Sequence, residues 1–263
     1  MKKIKLGAQI NTIRNFIKTI DDFKISMKKL REIGYAGVQL DVRHIAPGYD
    51  LNFKLIADIL NQYELLPTNT HLTWDFVQNN FSQTIEIHNQ LGCSHLAIPM
   101  ITDDYRRRGE LGYIDFAKEI VSLSEKFSKY GISLSYHNHS FEFERFSDKT
   151  GIEIIFENVG NTYLRAEIDT YWVQHAGADP AFWIEKLKHY CPVIHFKDMA
   201  IYAGKQTFAP VGQGNLNWER IISSTSNSSI EWIVVEQDLC FSDPFDCLST
   251  SYRFLNRYGF FDK

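Results

Sequence analysis

At 263 residues and 44% hydrophobic side chains, the chain is long enough to bury the core of one large α/β domain. A net charge of −4 gives no general attraction for phosphate backbones, which argues against a nucleic-acid partner. No apolar run reaches the roughly 18 residues of a membrane span, MKKIKLGAQI lacks the apolar stretch of a signal peptide, and Cys93, Cys191, Cys240 and Cys247 show no CxxC spacing. Together these predict a cytoplasmic protein with reduced thiols and no membrane partner.

Strand signals recur along the chain as short runs of β-branched and aromatic residues. They fall at 4–10 (IKLGAQI), 36–42 (AGVQLDV), 67–72 (PTNTHL), 95–101 (HLAIPMI), 132–138 (ISLSYHN), 163–169 (YLRAEID), 192–198 (PVIHFKD) and 232–238 (WIVVEQD). Segments with helical spacing separate them. Phe23, Met27, Leu30 and Ile33 share one face of the first, with Gly34 placed to end it; Phe116, Ile120, Leu123 and Phe127 repeat the pattern ahead of Gly131. Asp179-Pro180 and Asp243-Pro244 read as an N-cap followed by a first-turn proline. The fifth helix, in TGIEIIFENVG, is short and β-branched. Regular alternation implies parallel strands joined by right-handed crossovers. Eight such units, with no GxGxxG after the first strand and no linker, predict a single (β/α)8 TIM barrel spanning 1–263 as one domain.

Four residues stand at or near the ends of successive strands: Glu142, Asp169, His195 and Glu236, separated by 27, 26 and 41 positions. Side chains so spaced converge on the C-terminal mouth of a barrel, where barrel enzymes build their sites. Three carboxylates and an imidazole form a hard ligand set suited to a divalent cation, whereas separate salt bridges would explain each residue only singly. Lys197 follows His195 by two residues and shares its side of the sheet, either to neutralise an acidic mouth or to bind substrate. His137 and His139 share a strand face as substrate-facing groups or supports, with a zinc-binding pair as the alternative. His71 and His175 lie near the mouth as hydroxyl or phosphate donors, or as structural histidines. Trp74 and Trp172 can each wall a sugar pocket, while Trp183, Trp218 and Trp232 suit helix–barrel packing. Gly212-Gln213-Gly214 reads as a turn before a helix capped by Asn217, or as backbone N–H groups for a substrate oxygen.

The segments YHNHSFEF, EIDTYW with HAGADP, HFKDM and PVGQGNLNW resemble the sugar phosphate isomerase/epimerase superfamily of xylose isomerase-like TIM barrels, in its inosose dehydratase-like branch. The resemblance covers nearly the whole chain. It implies one divalent ion (Mn favoured, or Mg, Co or Zn) on Glu142, Asp169, His195 and Glu236, and a sugar, sugar phosphate or keto-cyclitol as substrate. Two departures stand out: Gln39 and Gln213 occupy positions where many relatives carry an acid. The activity implied is isomerisation or epimerisation, with Glu142 and Glu236 moving a proton beside a polarised carbonyl. The alternative is dehydration at the same site. An AP endonuclease-like function lacks the basic surface it needs, and a carbohydrate-binding barrel without catalysis has no use for the two glutamates. A homo-oligomer is left open.

Overall fold

The computed structural model describes residues 4–45, 52–157 and 159–259. Eight parallel strands form the sheet: β1 (Lys5–Gln9), β2 (Gly37–Asp41), β3 (Leu66–His71), β4 (His95–Ile98), β5 (Ser133–His137), β6 (Arg165–Glu167), β7 (Val193–Phe196) and β8 (Trp232–Val235). Each sequence-predicted strand is present. Neighbours in sequence pair from β1 through β6, and β1 also pairs with β8, which pairs with β7. The remaining seam, between β6 and β7, closes through a parallel bridge at Asp169 and His195, where the His195 N–H donates to the Ile168 carbonyl at 2.9 Å. Thr170 strengthens it: its hydroxyl accepts from the Lys197 N–H at 2.9 Å. The chain is therefore a (β/α)8 barrel, and its closing seam is made by residues of the predicted site.

One principal helix follows each strand: α1 (Ile20–Ile33), α2 (Phe53–Gln62), α3 (Phe81–Leu91), α4 (Glu110–Ser128), α5 (Gly151–Phe156), α6 (Pro180–Leu187), α7 (Trp218–Ser224) and α8 (Pro244–Asn256). Their ends obey local chemistry. Gly34 takes φ 119° after α1, a conformation that strains any residue with a Cβ. Asp179 and Asp243 accept the N–H groups of Ala181 and Phe245, as the Asp-Pro pairs predict. Phe116, Ile120, Leu123 and Phe127 of α4 are buried against the sheet.

Strands covered on both sides alternate between two buried environments. Outward residues such as Ile194, Phe196, Ile233 and Val235 join the helix-covered core. Inside the barrel, Val193, Trp232 and Val234 pack together as a separate apolar floor. Trp232 thus fills the barrel interior instead of packing under a helix. A Cβ on Gly37 would lie 2.9 Å from the Trp232 ring, so glycine there leaves room for the indole. Above this floor the inward positions turn polar: Gln9, Gln39, His71, His137, Glu167 and His195 are all buried.

Candidate metal and substrate site

The polar layer sits at the C-terminal ends of the strands. Asp169 follows β6 and N-caps the short helix Thr170–His175, its Oδ1 accepting the Trp172 N–H at 3.0 Å. That bond orients the carboxylate, and its other oxygen, Oδ2, is buried without a hydrogen-bond partner among the described residues. Around Oδ2 stand His137 Nε2 at 3.7 Å, His195 Nδ1 at 3.8 Å and Lys197 Nζ at 3.6 Å. Glu236 Oε2 lies 3.1 Å from His195 Nδ1 and 3.2 Å from Lys197 Nζ. Ligand atoms of Asp169, His195 and Glu236 all fall within 4.8 Å of one another. Three of the four expected ligands are therefore brought together.

Glu142 does not join them. Its strand ends at His137, and the chain then enters a 3-10 turn over Phe141–Phe143 that carries the side chain out of the barrel mouth. There Glu142 is fully buried, accepting the Tyr136 hydroxyl on Oε1 and the His139 N–H on Oε2 at 2.8 Å. Burial pushes its carboxyl up to about 7. The place beside Asp169 expected for Glu142 is held instead by His137, for which the sequence predicts a substrate-facing or supporting role, with zinc binding as the alternative.

His137 is prepared for that place. Its Nδ1 lies 3.1 Å from Glu167 Oε1. A carboxylate only accepts, so the proton sits on Nδ1 and Nε2 presents its lone pair towards Asp169. Burial holds the ring neutral, with its pKa lowered to about 3. Two electron-rich atoms facing each other in a buried space could hold a cation between them. In the metal-free protein the neighbouring groups balance one another's charge. Burial drives Asp169 up to about 7 despite the opposing pull of Lys197 and His195. Burial would lower His195, but Glu167 and Glu236 outweigh it and raise the ring to about 10. For Glu236, burial is overcome by Lys197 and His195, which hold it well below the usual carboxylate range.

Beneath this group lies a second one, in which the predicted His71 and His137 meet Glu167, a residue outside the predicted site. Glu167 Oε1 accepts from Gln39 Nε2 at 3.0 Å and His71 Nε2 at 2.6 Å as well as from His137. Its Oε2 accepts from Asn69 Nδ2 at 2.5 Å. Burial would raise Glu167, but His71 and His195 reverse that and hold it well below its ordinary range. The signal was present in the sequence, since Glu167 precedes Asp169 by two residues and shares its face of the strand. Gln39, one of the two departures from acid, feeds this carboxylate; a glutamate there would set a like charge against Glu167.

Above the group is a cavity of about 70 Å³, whose walls include Asn11, Asp41, Arg43, His137, His139, Lys197, Glu236 and Asp238. Lys197 Nζ lies 2.7 Å from Asp238 Oδ2 and over the Trp172 ring at 5.2 Å. Burial would lower this ammonium, but Glu236, Asp169 and Asp238 raise it, so it stays charged. Asn11 Nδ2 bridges Glu236 Oε1 and Asp238 Oδ1, both at 2.9 Å. His139 stands between Phe141 and Trp172, with Nδ1 buried and unpartnered among the described residues. His175 packs on Tyr171 and Trp172, and Trp74 is buried against Phe116. The Gly212–Gly214 turn directs its N–H groups at Asp198, with Gly212 and Gly214 donating to Oδ2 at 2.9 and 3.0 Å. A Cβ on Gly214 would come within 2.4 Å of Asp198 Oδ1, so this turn is a loop anchor and Gln213 points to solvent.

The profile of the xylose isomerase-like TIM barrel family matches residues 27–239. The chain belongs to that family. No curated protein sequence matches it at a significant level. Among solved structures, a sugar phosphate isomerase/epimerase from Parabacteroides distasonis ATCC 8503 superposes with a TM-score of 0.79 at 20% identity, covering 100% of this chain and 96% of that one. The probable 3-DHS dehydratase AsbF of Bacillus anthracis gives 0.74 at 15% identity, covering 96% and 99%. An IOLI protein with a bound zinc atom gives 0.74 at 13% identity, covering 99% and 100%. These likenesses extend along the whole barrel, and at such identities they speak to its fold.

Proposed function

We propose that this barrel is a divalent-metal-dependent isomerase or epimerase of a small sugar or related polyol, with His137, Asp169, His195 and Glu236 holding the ion. The observation that carries the reading is the buried Asp169 Oδ2, which makes no hydrogen bond among the described residues and is surrounded by His137 Nε2, His195 Nδ1 and Lys197 Nζ. Family membership and the zinc in the IOLI neighbour support it. A mixed nitrogen and oxygen donor set accommodates Mn, Co or Zn. When bound, such an ion supplies Lewis-acid polarisation of a carbonyl oxygen.

The chain's own groups do the proton work. Glu236 is ionised beside Lys197 and His195, so it is in the form that accepts a proton from the carbon next to the carbonyl. The C–H electron pair becomes the new C=C bond and the carbonyl π pair moves onto its oxygen, giving an enediolate. His139, kept neutral chiefly by burial, lines the same cavity and is the second group that carries a proton. Returning the proton to the neighbouring carbon isomerises the sugar; returning it to the other face of the same carbon epimerises it. Trp172 and Phe141 flank His139 and hold its ring, with Lys197 lying over Trp172 and Arg106 over Phe141.

A second reading is dehydration. Lys197, held charged at the cavity wall, can protonate a departing β-hydroxyl from the same enediolate. The test is incubation of Mn-loaded protein with ketoses and keto-cyclitols in deuterium oxide. Deuterium at the carbon next to the carbonyl supports proton transfer, loss of water selects the dehydratase, and neither outcome on any substrate of the panel rejects the reading.

A further inference from the structure

We infer that Glu167 is a positioning residue: one buried carboxylate beneath the site sets which nitrogen His137 offers to the ion and holds His195 in place beside it. This rests on the proposed metal site and adds to it the group that prepares it.

Glu167 is fully buried in the barrel interior. It touches two of the proposed ligands directly, accepting from His137 Nδ1 at 3.1 Å and lying 3.1 Å from His195 Nε2, off the line of a hydrogen bond. In both rings the nitrogen facing Glu167 is the one turned away from Asp169. His137 thus turns Nε2 to the upper site, and His195 turns Nδ1 there, where in the metal-free protein it donates to Glu236 a proton that an ion would displace. A metal-bound imidazole whose other nitrogen faces a carboxylate is fixed in orientation and made a stronger base. Here a single oxygen on β6 serves imidazoles from the strands on either side of it, β5 and β7.

The same atoms raise the possibility of a second ion, since His71, His137, Glu167 and His195 each offer a ligand atom to one place. The amides decide against it. Gln39 and Asn69 both point N–H groups at Glu167, at 3.0 and 2.5 Å. Their orientations are fixed from behind: the Gln39 oxygen accepts from Gln9, and the Asn69 oxygen accepts from Thr68 at 2.8 Å. Amide donors aimed at a carboxylate complete an anion's shell and would repel a cation. His71 Nε2, at 2.6 Å, leaves no space between itself and Glu167 for an ion. The lower cluster is a hydrogen-bonded support.

The experiment uses the full chain. Two-bond proton–nitrogen correlation spectra of ¹⁵N-histidine-labelled, metal-free protein should show His137 protonated on Nδ1, whatever the fate of any variant. Manganese or cobalt titration should give one equivalent bound, and Glu167→Gln should bind it about 10–100-fold more weakly while retaining the parent circular dichroism. A His137 proton on Nε2, or equal affinity in a folded Glu167→Gln, overturns the inference. So do two equivalents in the parent with one lost in the variant, which would make Glu167 a ligand. If the parent binds no divalent ion, the metal reading fails by itself, and the tautomer alone decides whether Glu167 sets His137.

Discussion

Asp169 Oδ2 and His137 Nε2 face each other at 3.7 Å, and neither donates to the other. The proton of His137 is committed to Glu167, and Asp169 has spent its other oxygen on capping a helix. This pairing makes His137, rather than Glu142, the partner of Asp169, and it separates the two in their expected mutant behaviour.

His137→Ala should lower metal occupancy of the purified protein, with partial recovery at high metal concentration. Glu142→Gln should leave occupancy at the parent level. Elemental analysis after dialysis against limiting metal checks both. Reversal of the pattern would return Glu142 to the ion.

Glu142 should instead appear in stability. Its carboxyl is raised by burial from 4.5 to about 7, so the folded state keeps the proton where the unfolded chain has lost it. The sign follows: its contribution is complete below pH 4.5, and is lost as pH rises through about 7. The loss amounts to roughly 3 kcal/mol at 1.36 kcal/mol per pKa unit. Glu142→Gln mimics the protonated acid, donating to Tyr136 and accepting from His139. Denaturant unfolding of metal-free protein between pH 5 and pH 8 should show a shallower fall for the variant than for the parent. Parallel profiles would contradict the assignment.

Glu236→Gln keeps the shape of the side chain and removes the base. Deuterium wash-in at saturating metal should fall by about 10²–10⁴-fold, with metal affinity weakened less than in His195→Ala. Exchange at the parent rate would leave Glu236 only a holding role and move the proton transfer to His139 or Lys197.

The barrel was legible because its signal is periodic: eight apolar runs, helices closed by Gly34 and opened by Asp179 and Asp243, and strand-end Asp169, His195 and Glu236. Lys197 reaches Glu236 because alternation puts it on the side of His195, as the sequence implied. Glu142 misled because it lies beyond the strand, where a 3-10 turn replaces the two-residue period on which the extrapolation relied. Glu167 is hard to read from sequence for the opposite reason. It obeys the period, two residues before Asp169, but an interior carboxylate is costly unless several donors converge, and those come from β2, β3 and β5. No local pattern announces a hub assembled from separate strands. Trp232 was misjudged likewise, because its room inside the barrel depends on Gly37 across the sheet.

The metal site is tested most directly by the anomalous diffraction of crystals soaked in manganese or zinc. One peak is expected at the barrel mouth, bonded to His137 Nε2, Asp169 Oδ2, His195 Nδ1 and Glu236 Oε2, with Glu142 still bound to Tyr136. A peak bonded to Glu142, a peak in the Glu167 cluster, or no peak at saturating metal would contradict it.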